Sequence, residues 1–137
     1  NIVGDGNCFF RSISFLRYKS QSRYSDIRST VVDEVVNNWD YYCPFIVGDN
    51  TYRLQVLNAT DYKNLMTKDG EYAGNVEIEA TARIFNCQFQ IYAENLDSYV
   101  TVGEDTSIYK LRFSGNVDAG HYDVLIDNSN IENGEGV

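Results

Sequence analysis

Histidine is almost missing from this chain of 137 residues: there is one, His121. Chemistry that needs an imidazole therefore has a single place to find it. Cysteine occurs three times, as Cys8, Cys43 and Cys87. An odd set without Cys-x-x-Cys spacing indicates neither a disulfide framework nor a zinc site, so no metal or cofactor is expected and a reducing, cytoplasmic compartment fits best. Basic residues are also scarce, 11 against 20 acidic, for a formal net charge of −9. That balance disfavours nucleic acid, because phosphate binding wants a basic footprint, and suits a basic ligand instead. No run approaches about 18 consecutive apolar residues, so no membrane-spanning segment is expected. The chain opens without an initiator methionine or a signal-peptide pattern, as a domain excised from a longer protein would. There is no internal repeat or low-complexity block.

What is present reads as a folded domain. A hydrophobic fraction of 43% with 14% aromatics supports a packed core. The length allows one domain and is short for two, so residues 1–137 are expected to form a single unit with a frayed polar tail from Asp127 to Val137.

The stretch Gly4-Asp5-Gly6-Asn7-Cys8 places a thiol just after a tight turn and at the head of Phe9, Phe10, Ile13, Phe15 and Leu16, whose spacing suits a partly buried helix. The first-turn N–H groups of a helix lack internal partners and the macrodipole is positive there. Both effects favour a thiolate at Cys8 and predict a lowered pKa. The same turn can aim backbone N–H groups from Asp5 to Cys8 at an oxyanion, provided Gly6 adopts a conformation that a residue with a Cβ would resist. Asn7 is expected to stiffen the loop through its side chain. A phosphate-loop reading fails, since the Lys-Ser/Thr of such loops is absent and an acidic residue stands between the glycines.

A cysteine nucleophile needs a base, and His121 lies in Gly120-His121-Tyr122-Asp123-Val124-Leu125, a strand-like run. Residues two apart on a strand share a face, which sets Asp123 beside His121 to hold its tautomer. Taken singly, Cys8 would read as a packed thiol and His121 as an ordinary strand histidine. Together, with the turn before one and the carboxylate after the other, they read as a nucleophile and its base.

Elsewhere, Ser25-Asp26 offers an N-cap for a helix whose Ile27, Val31, Val35 and Trp39 recur every four residues, which makes Trp39 a core residue. Pro44 and Gly48-Asp49-Asn50 mark a break, and a short helix is expected around residues 61–66. Gly74-Asn75 opens another helix, on which Glu77 and Glu79 fall on different sides and read as solvated or helix-start charges, not as a catalytic pair. Short β-prone runs follow at 87–92, 99–102, 108–113 and 122–126. Cys43 and Cys87 read as packed structural thiols. Helices first and strands later predict an α+β fold with a largely antiparallel sheet.

Asp5-Gly6-Asn7-Cys8-Phe9-Phe10-Arg11-Ser12 and Gly120-His121-Tyr122-Asp123-Val124-Leu125 resemble the two signature boxes of the OTU (ovarian-tumour) cysteine proteases, which remove ubiquitin. Between them, Glu71-Tyr72-Ala73-Gly74-Asn75-Val76-Glu77-Ile78-Glu79-Ala80 resembles the family's Trp-Gly-Gly-x-x-Glu-Leu-x-Ala segment, departing from it at Tyr72-Ala73. The resemblance implies a papain-like α+β catalytic domain with helices around a small sheet, a Cys8–His121–Asp123 triad, and hydrolysis after ubiquitin's terminal glycine. It also counts Asp5 with the active site, either bracing the oxyanion turn or orienting the nucleophile's surroundings. Ubiquitin or polyubiquitin is the implied partner. A glycine-glycine tail implies a narrow groove, bordered by Tyr122 or by the Tyr72-Ala73-Gly74 turn. Two alternatives stay open: a binding module without turnover, and a cysteine hydrolase of another ubiquitin-like modifier.

Overall fold

In the computed structural model of the protein, residues 1–47, 56–115 and 120–126 are described. The expected break at Gly48-Asp49-Asn50 and the expected frayed tail, residues 127–137, lie outside them. The helical part comprises α1 (Cys8–Tyr18), a 3-10 turn (Gln21–Arg23), α2 (Tyr24–Asn37), the single turn α3 (Trp39–Tyr42), a second 3-10 turn (Cys43–Phe45), α4 (Ala59–Met66) and α5 (Asn75–Phe85). The strands are β1 (Gln88–Tyr92), β2 (Tyr99–Val102), β3 (Ile108–Ser114) and β4 (His121–Leu125). They form one sheet in the order β2-β1-β3-β4.

The architecture is α+β, as expected, with one refinement. β1 pairs antiparallel with β2, and β3 with β4, but β1 and β3 run parallel. The chain leaves β1 by a hairpin to β2 and returns on the far side of β1, so β3 enters in the same direction. This puts β4 at a sheet edge, in register with β3 through Arg112↔Asp123 and Ser114↔His121.

Helix boundaries follow local hydrogen bonding. The cap expected at Ser25-Asp26 shifts upstream: Ser20 caps the 3-10 turn by accepting the Ser22 N–H at 3.2 Å, and α2 continues from that turn with Arg23 at its N-cap position. The stripe from Ile27 to Val35 does not run on to Trp39 in one helix. Asn38 ends α2 by donating both its backbone and its side-chain N–H to the Glu34 carbonyl, at 3.1 and 2.9 Å, and Trp39 starts α3. Trp39 still packs on the core, its ring 5.9 Å from that of Tyr62.

Helix α1 is the keel of the molecule. Phe9, Phe10 and Ile13 are buried to 1% exposure or less. Phe9 meets Phe89 of β1 and Tyr122 of β4 edge to face, at 5.8 and 5.5 Å between ring centres. Those contacts fix the N-terminus of α1 against the start of β4, 113 positions away in the chain (121 minus 8).

Glu77 departs from its expected solvated position. It is fully buried at the start of α5, accepting the Gly74 N–H on Oε1 and the Tyr62 hydroxyl on Oε2, both at 2.6 Å. Residue spacing shows which helix face a side chain occupies, but not that α4 closes over that face. Glu79 remains on the outer side, near Arg83 at 3.9 Å and accepting the Tyr41 hydroxyl at 2.8 Å. Cys43 and Cys87 are free thiols, and burial lifts Cys87 to about 11, as befits a packed sulfur.

Candidate active site

Cys8 is the first residue of α1, with Asn7 at the N-cap position. Its sulfur reaches across to β4: it accepts the Tyr122 N–H at 3.4 Å, and the thiol lies 3.9 Å from the Gly120 carbonyl. Both contacts are to neighbours of His121. One ring nitrogen of His121, Nε2, lies 2.9 Å from Asp123 Oδ1, and Nδ1 faces Gly4 across the cleft. Burial works against ionisation of Asp123, but hydrogen bonds from His121 and the Ile2 N–H, with the charges of His121 and Arg112, outweigh it and hold the carboxyl below its usual range. An ionised Asp123 can only accept, so Nε2 is the donor of this hydrogen bond.

The expected lowering of the Cys8 pKa is not what the structure shows. Cys8 is 1% exposed, and burial pushes the thiol up. The N–H groups of Tyr122, Phe9 and Cys8 itself oppose the rise, while the negative charge of Asp5 adds to it. Desolvation of the anion exceeds what the helix start returns, so the resting group is a thiol.

The turn before Cys8 is braced by the residues singled out in the sequence. Asp5 takes the Arg11 guanidinium on both oxygens, with Nη2 at 2.9 Å and Nε at 3.2 Å, and accepts the Asn7 N–H at 3.0 Å. The Arg11 bond holds the Asp5 carboxyl below its ordinary value, against the effect of burial. Asn7, 2% exposed, donates to Asp5 at 3.3 Å and accepts the Gly70 N–H at 2.8 Å. Gly6 is required for a reason other than the expected one. Its φ is not in the left-handed region, but a Cβ there would lie 1.5 Å from the Gly70 carbonyl oxygen. The glycine permits contact between two loops. The left-handed residue is Gly70, at φ 89°.

Three of the four amides expected to face an oxyanion already have internal acceptors. The Asp5 N–H bonds the Val3 carbonyl at 3.1 Å, the Cys8 N–H the Asp5 carbonyl at 3.2 Å, and the Asn7 N–H the Asp5 side chain.

Two depressions meet at Tyr72 and Gly120. The smaller, about 300 Å³, is lined by Ile2, Gly4, Asp5, Tyr72, Gly120 and His121. The larger, about 590 Å³, runs between the Tyr72-Ala73-Gly74 turn and the β1–β2 hairpin, with Tyr122 and Phe113 in its wall. Among the described residues no three His, Cys, Asp or Glu side chains converge as a metal site, and no helix is long and apolar enough to cross a membrane.

Two arginines escaped the sequence reading. Arg112 of β3 approaches Asp123 Oδ2 at 3.6 Å from the directly opposed register position. Arg28 of α2 is buried beneath the Cys8 turn. Its signal was available: Arg28 stands four residues before Val32 and seven before Val35, on the apolar stripe itself.

A buried thiol held by the Tyr122 N–H, and an imidazole that meets a carboxylate and lines the smaller depression, are group types that a cysteine hydrolase uses. The family model described as OTU-like cysteine protease matches residues 3–119, and the chain belongs to that family. It is 29% identical over 123 residues to the OVARIAN TUMOR DOMAIN-containing deubiquitinating enzyme 7 of Arabidopsis thaliana, covering 88% of this chain and 30% of that protein. It is 25% identical over 136 residues to the OTU domain-containing protein 1 of Homo sapiens, covering 94% and 26%. The chain thus spans less than a third of the length of these curated relatives. Its fold matches the solved OTU domain of OTUD1 with a TM-score of 0.73 at 24% identity, covering 93% of this chain and 83% of that one. An ovarian tumor domain solved in complex with ubiquitin matches with a TM-score of 0.71 at 22% identity, covering 94% and 69%.

Proposed function

We propose that residues 1–137 act as one catalytic domain, a deubiquitinating thiol protease that cleaves the peptide or isopeptide bond after ubiquitin's C-terminal glycine. The observation that carries this reading is the seating of the Cys8 sulfur on the Tyr122 N–H, next to a His121 whose other side is held by Asp123. The name of the Arabidopsis relative and the ubiquitin-bound fold neighbour support the choice of substrate.

In this mechanism His121 Nδ1 takes the Cys8 proton and the thiolate attacks the glycine carbonyl. The resulting oxyanion draws on amides of the Asp5–Cys8 turn, where the Gly6 N–H is not among those that already have an internal acceptor. The tetrahedral species collapses with cleavage of the C–N bond, and the imidazolium gives its proton to the departing lysine amine. A water then loses a proton to His121 and attacks the thioester, releasing the ubiquitin carboxylate and the Cys8 thiol. Asp123 keeps Nε2 protonated throughout, while Asp5, Gly6 and Asn7 hold the turn. The glycine-glycine tail fits between the Tyr72-Ala73-Gly74 turn and Tyr122, which together line the larger depression.

The test is reaction with ubiquitin carrying a thiol-reactive electrophile at its C-terminus, read by intact mass. One adduct on the wild-type domain, none with Cys8→Ala and a sharply slower one with His121→Ala, is the expected result. A folded wild type that forms no adduct overturns the reading in favour of another modifier or a binding-only role.

A further inference from the structure

Arg28 is only 3% exposed, at a place on the α2 stripe where an aliphatic residue would pack. A buried guanidinium is costly unless its N–H groups find acceptors. Nη1 donates to the Met66 carbonyl at 2.9 Å. Nη2 donates to Asn7 Oδ1 at 2.8 Å and to the Glu71 carbonyl at 2.7 Å, with the Gly6 carbonyl at 3.5 Å. The flat face of the group lies on the Phe10 ring, 4.5 Å from its centre. Nε is buried and has no hydrogen-bond partner among the described residues.

The partners are neutral oxygens from two stretches of chain. Gly6 and Asn7 form the turn immediately before the nucleophile; Met66 and Glu71 bracket the loop that leads into Tyr72, a wall of both depressions. Those same stretches touch twice more, through the Gly70 N–H on Asn7 Oδ1 and through the Gly6–Gly70 contact that leaves no room for a Cβ. An outer chain runs in parallel: Asp5 pairs with Arg11, Arg11 lies 4.2 Å over the Tyr24 ring, and the Tyr24 hydroxyl donates to Asp69 at 3.0 Å.

We propose that Arg28 is a positioning residue, whose planar fork locks the Cys8 turn to the 66–72 loop and so sets the nucleophile and the groove wall in one geometry. The proposal rests on the thiol-protease reading of the site. Lysine cannot replace the fork, because a single ammonium cannot hold donors in the plane that reaches both stretches at once.

The test compares wild type with Arg28→Lys and Arg28→Met. Three quantities are measured: kcat and KM on ubiquitin bearing a C-terminal fluorogenic group, the pH profile of Cys8 alkylation by iodoacetamide resolved by peptide mass, and the folded fraction by circular dichroism. A positioning role predicts loss of about 100-fold in kcat per folded molecule, the scale of a roughly 1 Å misplacement, with KM changing far less. It also predicts a displaced Cys8 pH profile in both variants. Should Arg28→Met fail to fold, Arg28→Lys, which keeps the charge, decides. Wild-type kcat per folded molecule and an unmoved Cys8 profile in the folded Lys variant overturn the proposal. A wild type inert to ubiquitin, with a Cys8 profile that still shifts in Arg28→Lys, retires the substrate reading and supports the role of Arg28.

Discussion

The thiol and the carboxylate of the candidate site are pushed in opposite directions, and under the proposed function the difference decides how the reaction starts. Asp123 is held ionised by the groups around it, whereas burial keeps Cys8 protonated. A raised pKa means that the thiolate fraction at neutral pH is smaller than in a free thiol and grows as pH rises. The rate of Cys8 alkylation by a small electrophile should therefore climb through the alkaline range, with a midpoint above the roughly 8.5 of an unperturbed cysteine. A plateau reached by about pH 7 would instead show a preformed thiolate–imidazolium pair of the papain type. Cys8, His121, Asp123 and Asp5 could be singled out as candidates in the sequence because each stands close in the chain to a residue that marks it, a turn before the thiol and a two-residue strand step between imidazole and carboxylate. Helix polarity is local and suggested a lowered Cys8 pKa, while the burial that raises it depends on how the rest of the fold packs around the sulfur. The partners of Arg28 and Arg112 escaped for the same reason, being contributed by other elements, although the burial of Arg28 was legible from its place on the apolar stripe.

Among the elements, α5 shows how the helical layer is tied to the groove. Its first turn carries Glu77, which gathers the Gly74 N–H and the Tyr62 hydroxyl beneath the turn that walls the larger depression. The rule that glutamates near a helix start face water holds for Glu79 and fails for Glu77, because α4 packs Tyr62 onto that face. Removing a buried acceptor costs about 1–3 kcal/mol for each donor stripped of it. Glu77→Ala should then lower unfolding free energy by about 3 kcal/mol in denaturant titration, on the scale of the severe substitutions. Glu79→Ala, which gives up partly exposed partners, should cost within about 1 kcal/mol. Equal losses would mean that Glu77 is placed by packing alone. Most elements were legible from period and turn chemistry. The parallel β1–β3 pair was not, since strand order depends on which side of β1 the chain returns to.

For the whole molecule, the excess of acidic side chains matters only where it faces the groove. Asp5 and Asp123 lie at the site but are engaged by Arg11 and His121. Glu94 and Asp97 are different: both are exposed on the β1–β2 hairpin, beside Ala93 and Ser98 of the larger depression. Under the proposed function an arginine-bearing ubiquitin tail enters there, so the field at the hairpin should speed encounter and leave chemistry alone. The Debye length shrinks from about 30 Å at 0.01 M salt to about 8 Å at 0.15 M, which is enough to screen exposed charges from an approaching tail. KM should therefore rise several-fold over that range while kcat holds steady. The double change Glu94→Gln with Asp97→Asn should raise KM at low salt and flatten its salt dependence. A slope that survives the double change would assign the steering to the net charge of −9 as a whole. A flat wild-type profile would mean that the hairpin's charges serve solubility and not capture.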